Sequence, residues 1–169
     1  MRQLPLLLLT AVVCAQTGKL PSFDEYKVSE VYNGKPAAPK LATFLAREYQ
    51  PQIKDAAEKG PNFAGKYAIA QWGCGSSCLQ MMVIDEQTGD VYRGPFLTLN
   101  FVPGLFFADG SRSSSDDFEP LAFRKDSRLL AVRGCPEEEM NRCGEFYYEL
   151  DKRRFRLLQN FTPAPLAMP

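Results

Sequence analysis

A chain of 169 residues with 45% hydrophobic and 12% aromatic content is long enough to bury one ordinary core, which excludes wholesale disorder and favours a single domain. Lys plus Arg and Asp plus Glu both total 20, so there is no positive field to hold a phosphate backbone, and nucleic acid is not an expected partner. Histidine is absent, which removes the usual general base near neutral pH together with the commonest metal ligand; catalysis would have to rest on Cys, Ser, Tyr, Lys or carboxylates.

Residues 1–15 read as an export signal. Arg2 is the basic start, Leu4 to Val13 a short apolar run, and Val13-Cys14-Ala15 offers small or modest residues at the positions a signal peptidase inspects, so cleavage after Ala15 starts the mature chain at Gln16. A lipid anchor at Cys14 is the rival reading, and Val13 counts against it because such sites normally hold Gly, Ala or Ser there. No transmembrane anchor is expected, since the run is about 10 residues where about 20 span a bilayer. The reading is then one globular domain over 16–161 and a Pro-rich, disordered tail over 162–169, with a periplasmic or secreted location.

Tyr26 to Tyr32 reads as a short edge strand ended by Asn33-Gly34, Pro36 and Pro39. Leu41, Phe44, Leu45, Tyr49, Ile53, Ala56 and Ala57 recur at spacings of three and four, which predicts one amphipathic helix of about 19 residues packed on a sheet. Pro51 removes a backbone donor inside that pattern and should kink the helix or split it near Gln50, and Gly60 supplies a left-handed stop.

Phe63 to Trp72 and Leu79 to Ile84 read as strands joined by the tight Gly73-Cys74-Gly75-Ser76-Ser77-Cys78 connection. Asp85 to Asp90 is a polar reversal whose Gly89 can take positive φ, leading into Val91-Tyr92. Asn100 to Phe107 is apolar but interrupted by Pro103-Gly104, and Asp109 to Asp117 is a Gly/Ser/Asp loop. Leu121 to Phe123 pairs with Leu129 to Val132, and Glu145 to Leu150 with Phe155 to Leu158. The phrase F-R-K-D-S-R-L-L-A-V-R-G resembles a propeller blade, yet at least four blades of about 40 residues exceed this length. The expected class is therefore α+β: a curved antiparallel sheet of about seven or eight strands covered by one N-terminal helix.

The motifs N-F-A-G-x-Y, W-G-C-G-x-x-C and I-D-x-x-T-G-x-V-Y, running from Asn62 to Tyr92, resemble those of a family of small, exported, uncharacterised bacterial proteins. The resemblance runs from Tyr26 to Leu158 and brings no known activity. Members of that family typically carry histidine where this chain has Lys66. Lysine is cationic near pH 7 unless buried, so proton transfer at that position is not carried over.

With Cys14 removed, Cys74, Cys78, Cys135 and Cys143 form an even set in an oxidising compartment. Four cysteines permit three pairings; the local pairs, Cys74 with Cys78 and Cys135 with Cys143, are chosen because each brackets a turn. If the chain has a reactive site, Trp72, Cys74, Cys78 and Lys66 are its candidates, with Cys74 and Cys78 as a redox couple or activated thiolate. Against that, C-x3-C is not the C-x2-C of thioredoxin-like proteins, and no helix start follows Cys78.

Ser76 and Ser77 lack a histidine to activate them and read as turn residues, with a Ser-Lys pairing to Lys66 unsupported. Asp109, Ser111, Ser113, Asp116 and Asp117 alternate oxygens as calcium loops do, but an EF-hand fails at Ser114 and Pro120. No metal or cofactor is expected. The reading favoured is a non-enzymatic, disulfide-stabilised exported domain that binds an unknown protein or envelope component, the alternative being a thiol-dependent enzyme or redox protein using Cys74 and Cys78.

Overall fold

Seven antiparallel strands make one open sheet in a computed structural model that describes residues 19–101 and 119–162. They are β1 (Tyr67–Gly75), β2 (Cys78–Asp85), β3 (Val91–Asn100), β4 (Leu121–Phe123), β5 (Leu129–Pro136), β6 (Gly144–Asp151) and β7 (Arg154–Phe161). The order across the sheet is β1-β2-β3-β5-β6-β7, with β4 pairing β5 beside β3. The expected α+β class and curved sheet are thus what the chain forms.

The curvature follows from where the side chains alternate. Ile69, Met81, Val83, Phe96, Leu130, Val132 and Phe146 point into the curve and enclose Phe63, which stacks on Phe155 at 6.1 Å and meets Phe123 edge-on at 6.2 Å. Successive residues point to opposite faces of a strand, so Ala68, Ala70 and Trp72 of β1 and Met82 and Ile84 of β2 look outward. There they are covered by the helices α1 (Phe44–Glu48) and α2 (Gln50–Glu58) through Ala46, Ile53 and Ala57. A second outer patch, Leu129, Ala131 and Tyr147, is covered by Leu20, Phe23 and Tyr26.

The helix is split into two pieces at Tyr49, next to the break near Gln50 that Pro51 leads one to expect. Thr43 caps α1 by accepting a hydrogen bond from Ala46 N at 3.1 Å, and the Tyr49 N–H closes it onto Leu45 O at 3.0 Å. Pro51 then falls in the first turn of α2, where a missing N–H removes no intrahelical bond. The apolar phase survives the break, with one exception: Phe44, assigned to the buried stripe by spacing, is 75% exposed because it opens α1 rather than sitting inside a longer helix.

Two strand expectations need correction. Tyr26 to Tyr32 is not a strand; Phe23–Tyr26 is a 3-10 turn, held by the Glu25 carboxylate accepting from Ser22 N at 3.0 Å. The backbone beyond it makes only a lone bridge, Lys27 to Ser127, because Val28 N and Tyr32 N are used by the separate loops at Asp126 and Gly65. Phe63 to Lys66 does not belong to β1 either. It is a tight reversal closed between Phe63 and Tyr67, with Ala64 at φ 44° and Gly65 at φ 80°. A side chain at Gly65 would collide with the Glu30 carbonyl oxygen, so glycine is required on both counts.

β3 is longer than the short strand expected after the reversal at Gly89, which does take positive φ (74°). Gly94 and Pro95 sit at an irregularity opposite Met81, between the pairs Met82–Arg93 and Gln80–Thr98, and this is how a proline is tolerated in a central strand. The apolar run after Phe101, the Asp109 to Asp117 loop, the segment expected to be an export signal and the tail beyond Thr162 all lie outside the described residues.

The two edges of the sheet are treated differently. Along β1, the side chain of Asn62 takes the place of a neighbouring strand: its Oδ1 accepts from Ile69 N at 2.8 Å and its Nδ2 donates to Ile69 O at 3.2 Å. Along β7, no backbone hydrogen bond runs to anything but β6 among the described residues.

The β6–β7 turn carries local strain. Lys152 and Arg153 have φ of 46° and 70°, the two left-handed positions of a two-residue hairpin, a conformation that Asn and Gly adopt at less cost. Lys152→Asn is therefore expected to raise the denaturation midpoint, with a gain of about 0.5–1 kcal/mol in urea titrations. Arg153 is a different case, because its guanidinium is in use.

Candidate functional site

The hairpin joining β1 and β2 is built by Gly75 and Cys78 pairing across Ser76-Ser77, with Ser77 at φ 53°. Cys74 and Cys78 are joined in a disulfide across this tip, with Cα atoms 5.1 Å apart, and Cys135 is joined to Cys143 across the next reversal at 4.0 Å. Both local pairings are thus present in the structure. Cys74 is exposed and Cys135 fully buried, so the tip bridge alone faces solvent broadly. Ser76 and Ser77 are turn residues, and the Ser77 carbonyl accepts from Phe101 N at 2.9 Å.

Trp72 lies two residues before Cys74 but belongs to the layer between sheet and helices. Its ring stacks on Tyr49 at 4.5 Å, and its indole N–H donates to Gln80 Oε1 at 2.9 Å. It is a packed residue with its polar atom satisfied.

Lys66 is at the opposite end of β1. Seven residues of strand separate it from Cys74, a span of roughly 25 Å, so it reaches neither sulfur nor the serines. Its ammonium instead lies 2.9 Å from Asp85 Oδ2 and 3.2 Å from Gln87 Oε1. Burial by itself would lower the Lys66 pKa, but the hydrogen bond to Asp85 and the charge around it outweigh this, and the net shift is upward. Lys66 is therefore a fixed cation, not a proton acceptor at neutral pH. The structure separates the four sequence candidates into a solvent-facing disulfide, a core tryptophan and a distant ion pair.

The cluster around Lys66 was not visible as such in the sequence. Asp85 is fully buried, with its Oδ1 accepting from Gln87 N at 3.0 Å. Asp90 receives Lys40 at 2.8 Å and Arg153 at 2.6 Å, and the hydrogen bonds from Lys40 first, then the Thr88 side chain, then Arg153, hold its carboxyl down to about 2. Arg153 also stands 3.8 Å from Asp85. The strained turn thus delivers a cation that ties the β6–β7 tip to the β2–β3 tip across the curve of the sheet. A cleft of about 340 Å³ lies here, lined by Lys40, Asp90, Tyr92 and Arg153, but the charged groups lining it are already paired with one another.

Glu86, next in the chain, is the anomaly. It is 0% exposed, and neither carboxylate oxygen has a hydrogen-bond partner. Its N–H donates to Lys66 O at 2.9 Å, and its carbonyl accepts from Ala37 N at 2.8 Å in the Lys35 to Pro39 segment. Burial first, and the Asp85 charge second, push its pKa up to about 7. Adjacent acids at a strand end face opposite sides, so one of Asp85 and Glu86 had to turn inward and the other toward the helices; that alternation was the available signal.

Among the described residues no group of three or more His, Cys, Asp or Glu is arranged to hold a metal ion, and the Asp109 to Asp117 oxygens lie outside those residues. No helix among them is long and apolar enough to cross a membrane. No family model, curated protein or solved structure matches the chain. Opening the tip bridge with Cys74→Ser/Cys78→Ser is expected to cost about 2 kcal/mol, since only a short loop is closed. Thermal denaturation of the double variant measures it.

Proposed function

We propose that the protein is an exported, disulfide-stabilised domain that binds another protein or an envelope component and carries no reaction of its own. What supports this reading most is the fate of the reactive side chains: the Cys74 and Cys78 sulfurs are bonded to each other, and the base that the sequence offered beside them, Lys66, is held by Asp85 roughly 25 Å away. The likeness to a family of small exported bacterial proteins belongs to the same proposal, as does a mature chain starting at Gln16.

The second reading, a thiol-dependent or redox protein, draws on one observation, the exposure of the Cys74–Cys78 bridge at a hairpin tip. One experiment separates the two. The full chain is expressed in a bacterium with a photo-crosslinking benzophenone residue at exposed sites, among them Phe44 and Leu157, with and without Cys74→Ser/Cys78→Ser. The binding reading expects discrete crosslinked products in the envelope fraction that persist in the double variant. Absence of products at every site overturns it, and products or activity that vanish only with the double variant support the redox reading.

A further inference from the structure

We propose that the outer edge of β7 is a strand-addition site for an extended segment of another protein, acidic at one end and apolar at the other. The inference rests on the binding reading and specifies its surface and the chemistry of its occupant.

The sheet has two edges, and among the described residues the chain occupies part of one, at Tyr67 and Ile69 of β1, and none of the other. An unpaired edge is a template for another strand, and soluble proteins usually block it. On β1 the block is Asn62, whose amide occupies both backbone groups of Ile69. β7 runs for 8 residues with no such side chain, and its backbone pairs with β6 alone among the described residues. A strand of that length offers about four outward N–H and C=O pairs, enough to seat a short extended segment.

The side chains along this edge define what would fit. Leu157 and Phe161 are large apolar groups, 49% and 37% exposed, on this same edge strand. At the other end of the strand stand four cations in a row of five, of which Arg153 is held by Asp90 and Arg156 by Glu149. Lys152 and Arg154 remain exposed and without an ion-pair partner among the described residues. An incoming strand therefore meets free positive charge beside the turn and apolar surface further on. Its complement is carboxylate followed by bulky hydrophobic residues.

A second copy of the chain is the obvious competing occupant, and two features count against it. From Lys152 to Thr162 there is no acidic residue, so two β7 strands side by side would add cations without adding anions. β7 also holds an extra residue at Leu158, between the pairs Tyr147–Gln159 and Tyr148–Leu157, an irregularity that a pair of β7 strands would carry twice and an extended segment would meet only once.

The test uses the oxidised protein and two blocked synthetic decapeptides, one with glutamates in one half and valine and phenylalanine in the other, the second with lysine for glutamate. Amide resonances are followed by NMR during titration. The acidic peptide is expected to shift the amides of β7 and β6 and to bind at least tenfold more tightly than the basic one. Arg154→Glu should abolish that preference, and Leu157→Lys should weaken both, with the dispersion of the free spectra unchanged. Failure of the acidic peptide to shift β7 at millimolar concentration overturns the site, as does a concentration-dependent shift of the same amides without peptide, which would assign the edge to a second copy. Crosslinked products from Phe44 but none from Leu157 overturn the edge and leave the binding reading intact, whereas no products anywhere overturn that reading itself.

Discussion

Replacing Glu86 by glutamine is expected to stabilise the protein by about 3 kcal/mol at pH 8 and to change nothing at pH 4. The buried carboxyl titrates at about 7 in the folded chain against an ordinary value of 4.5. Because the folded pKa is the higher one, the folded state keeps a proton that the unfolded state has lost between those two values. Stability therefore falls as pH climbs from about 4.5 to about 7 and is level above that, where the folded chain must carry an unpaired buried charge. Glutamine has no proton to lose, so its stability should be flat through that window as far as this position is concerned. Urea titrations of both proteins at pH 4, 6 and 8 read the difference directly. Parallel curves at all three pH values would mean that Glu86 has a charge partner in the folded chain after all.

Asn62→Ala is expected to destabilise by about 2–4 kcal/mol, although the residue is neither a core hydrophobe nor a charged group. Its amide is the only partner of the Ile69 N–H and C=O on that side of β1, and Ile69 is 3% exposed. Removing the amide leaves a donor and an acceptor without protein partners and uncovers an edge. Asn62→Asp separates the two contributions. A carboxylate still accepts from the Ile69 N–H but confronts the Ile69 carbonyl with a second acceptor, so it should rescue little. Equilibrium denaturation gives the magnitudes, and faster hydrogen exchange of the Ile69 amide than of its neighbours on β2 gives the location. Equal exchange at Ile69 in wild type and Asn62→Ala would remove the edge-blocking role.

The sheet is legible where a hairpin shows both alternating apolar residues and a turn sequence; the β6–β7 hairpin, with Lys152-Arg153 at its tip, is marked by its flanking strands alone. Gly89 and the Cys74 to Cys78 connection both did what their residue types require. Tyr26 to Tyr32 has the same alternation without the ladder. Its backbone groups are spent on two different loops, and a pattern of side chains says nothing about which partner a main-chain group will find. Phe44 failed for a related reason: helical spacing assumes a continuous helix, and the phase is not set until the turn after Thr43 has closed.

The candidate site was misassembled because strands place neighbours in sequence at opposite ends of the molecule. Lys66 and Cys74 looked close on the page and are separated by the whole length of β1. The contacts that fasten the fold, Arg153 with Asp90 and Asn62 with Ile69, join polar residues in turns that composition alone marks as solvated. One of these pairs is 63 residues apart in the chain, beyond the reach of any local pattern.

Both sulfur bridges close loops within a single neighbourhood, Cys74 to Cys78 before the segment 102–118 and Cys135 to Cys143 after it. Neither therefore connects the first three strands to the last four. A single peptide cleavage between those groups would leave two polypeptides that separate on a non-reducing denaturing gel, each with its own intact cystine. In native buffer they would remain together only as long as the shared interior around Phe63 and the Arg153–Asp90 contact outlast dissociation. The chain is thus suited to being divided and reassembled from its halves, with the oxidised cysteines acting as markers of each half and not as the bond between them.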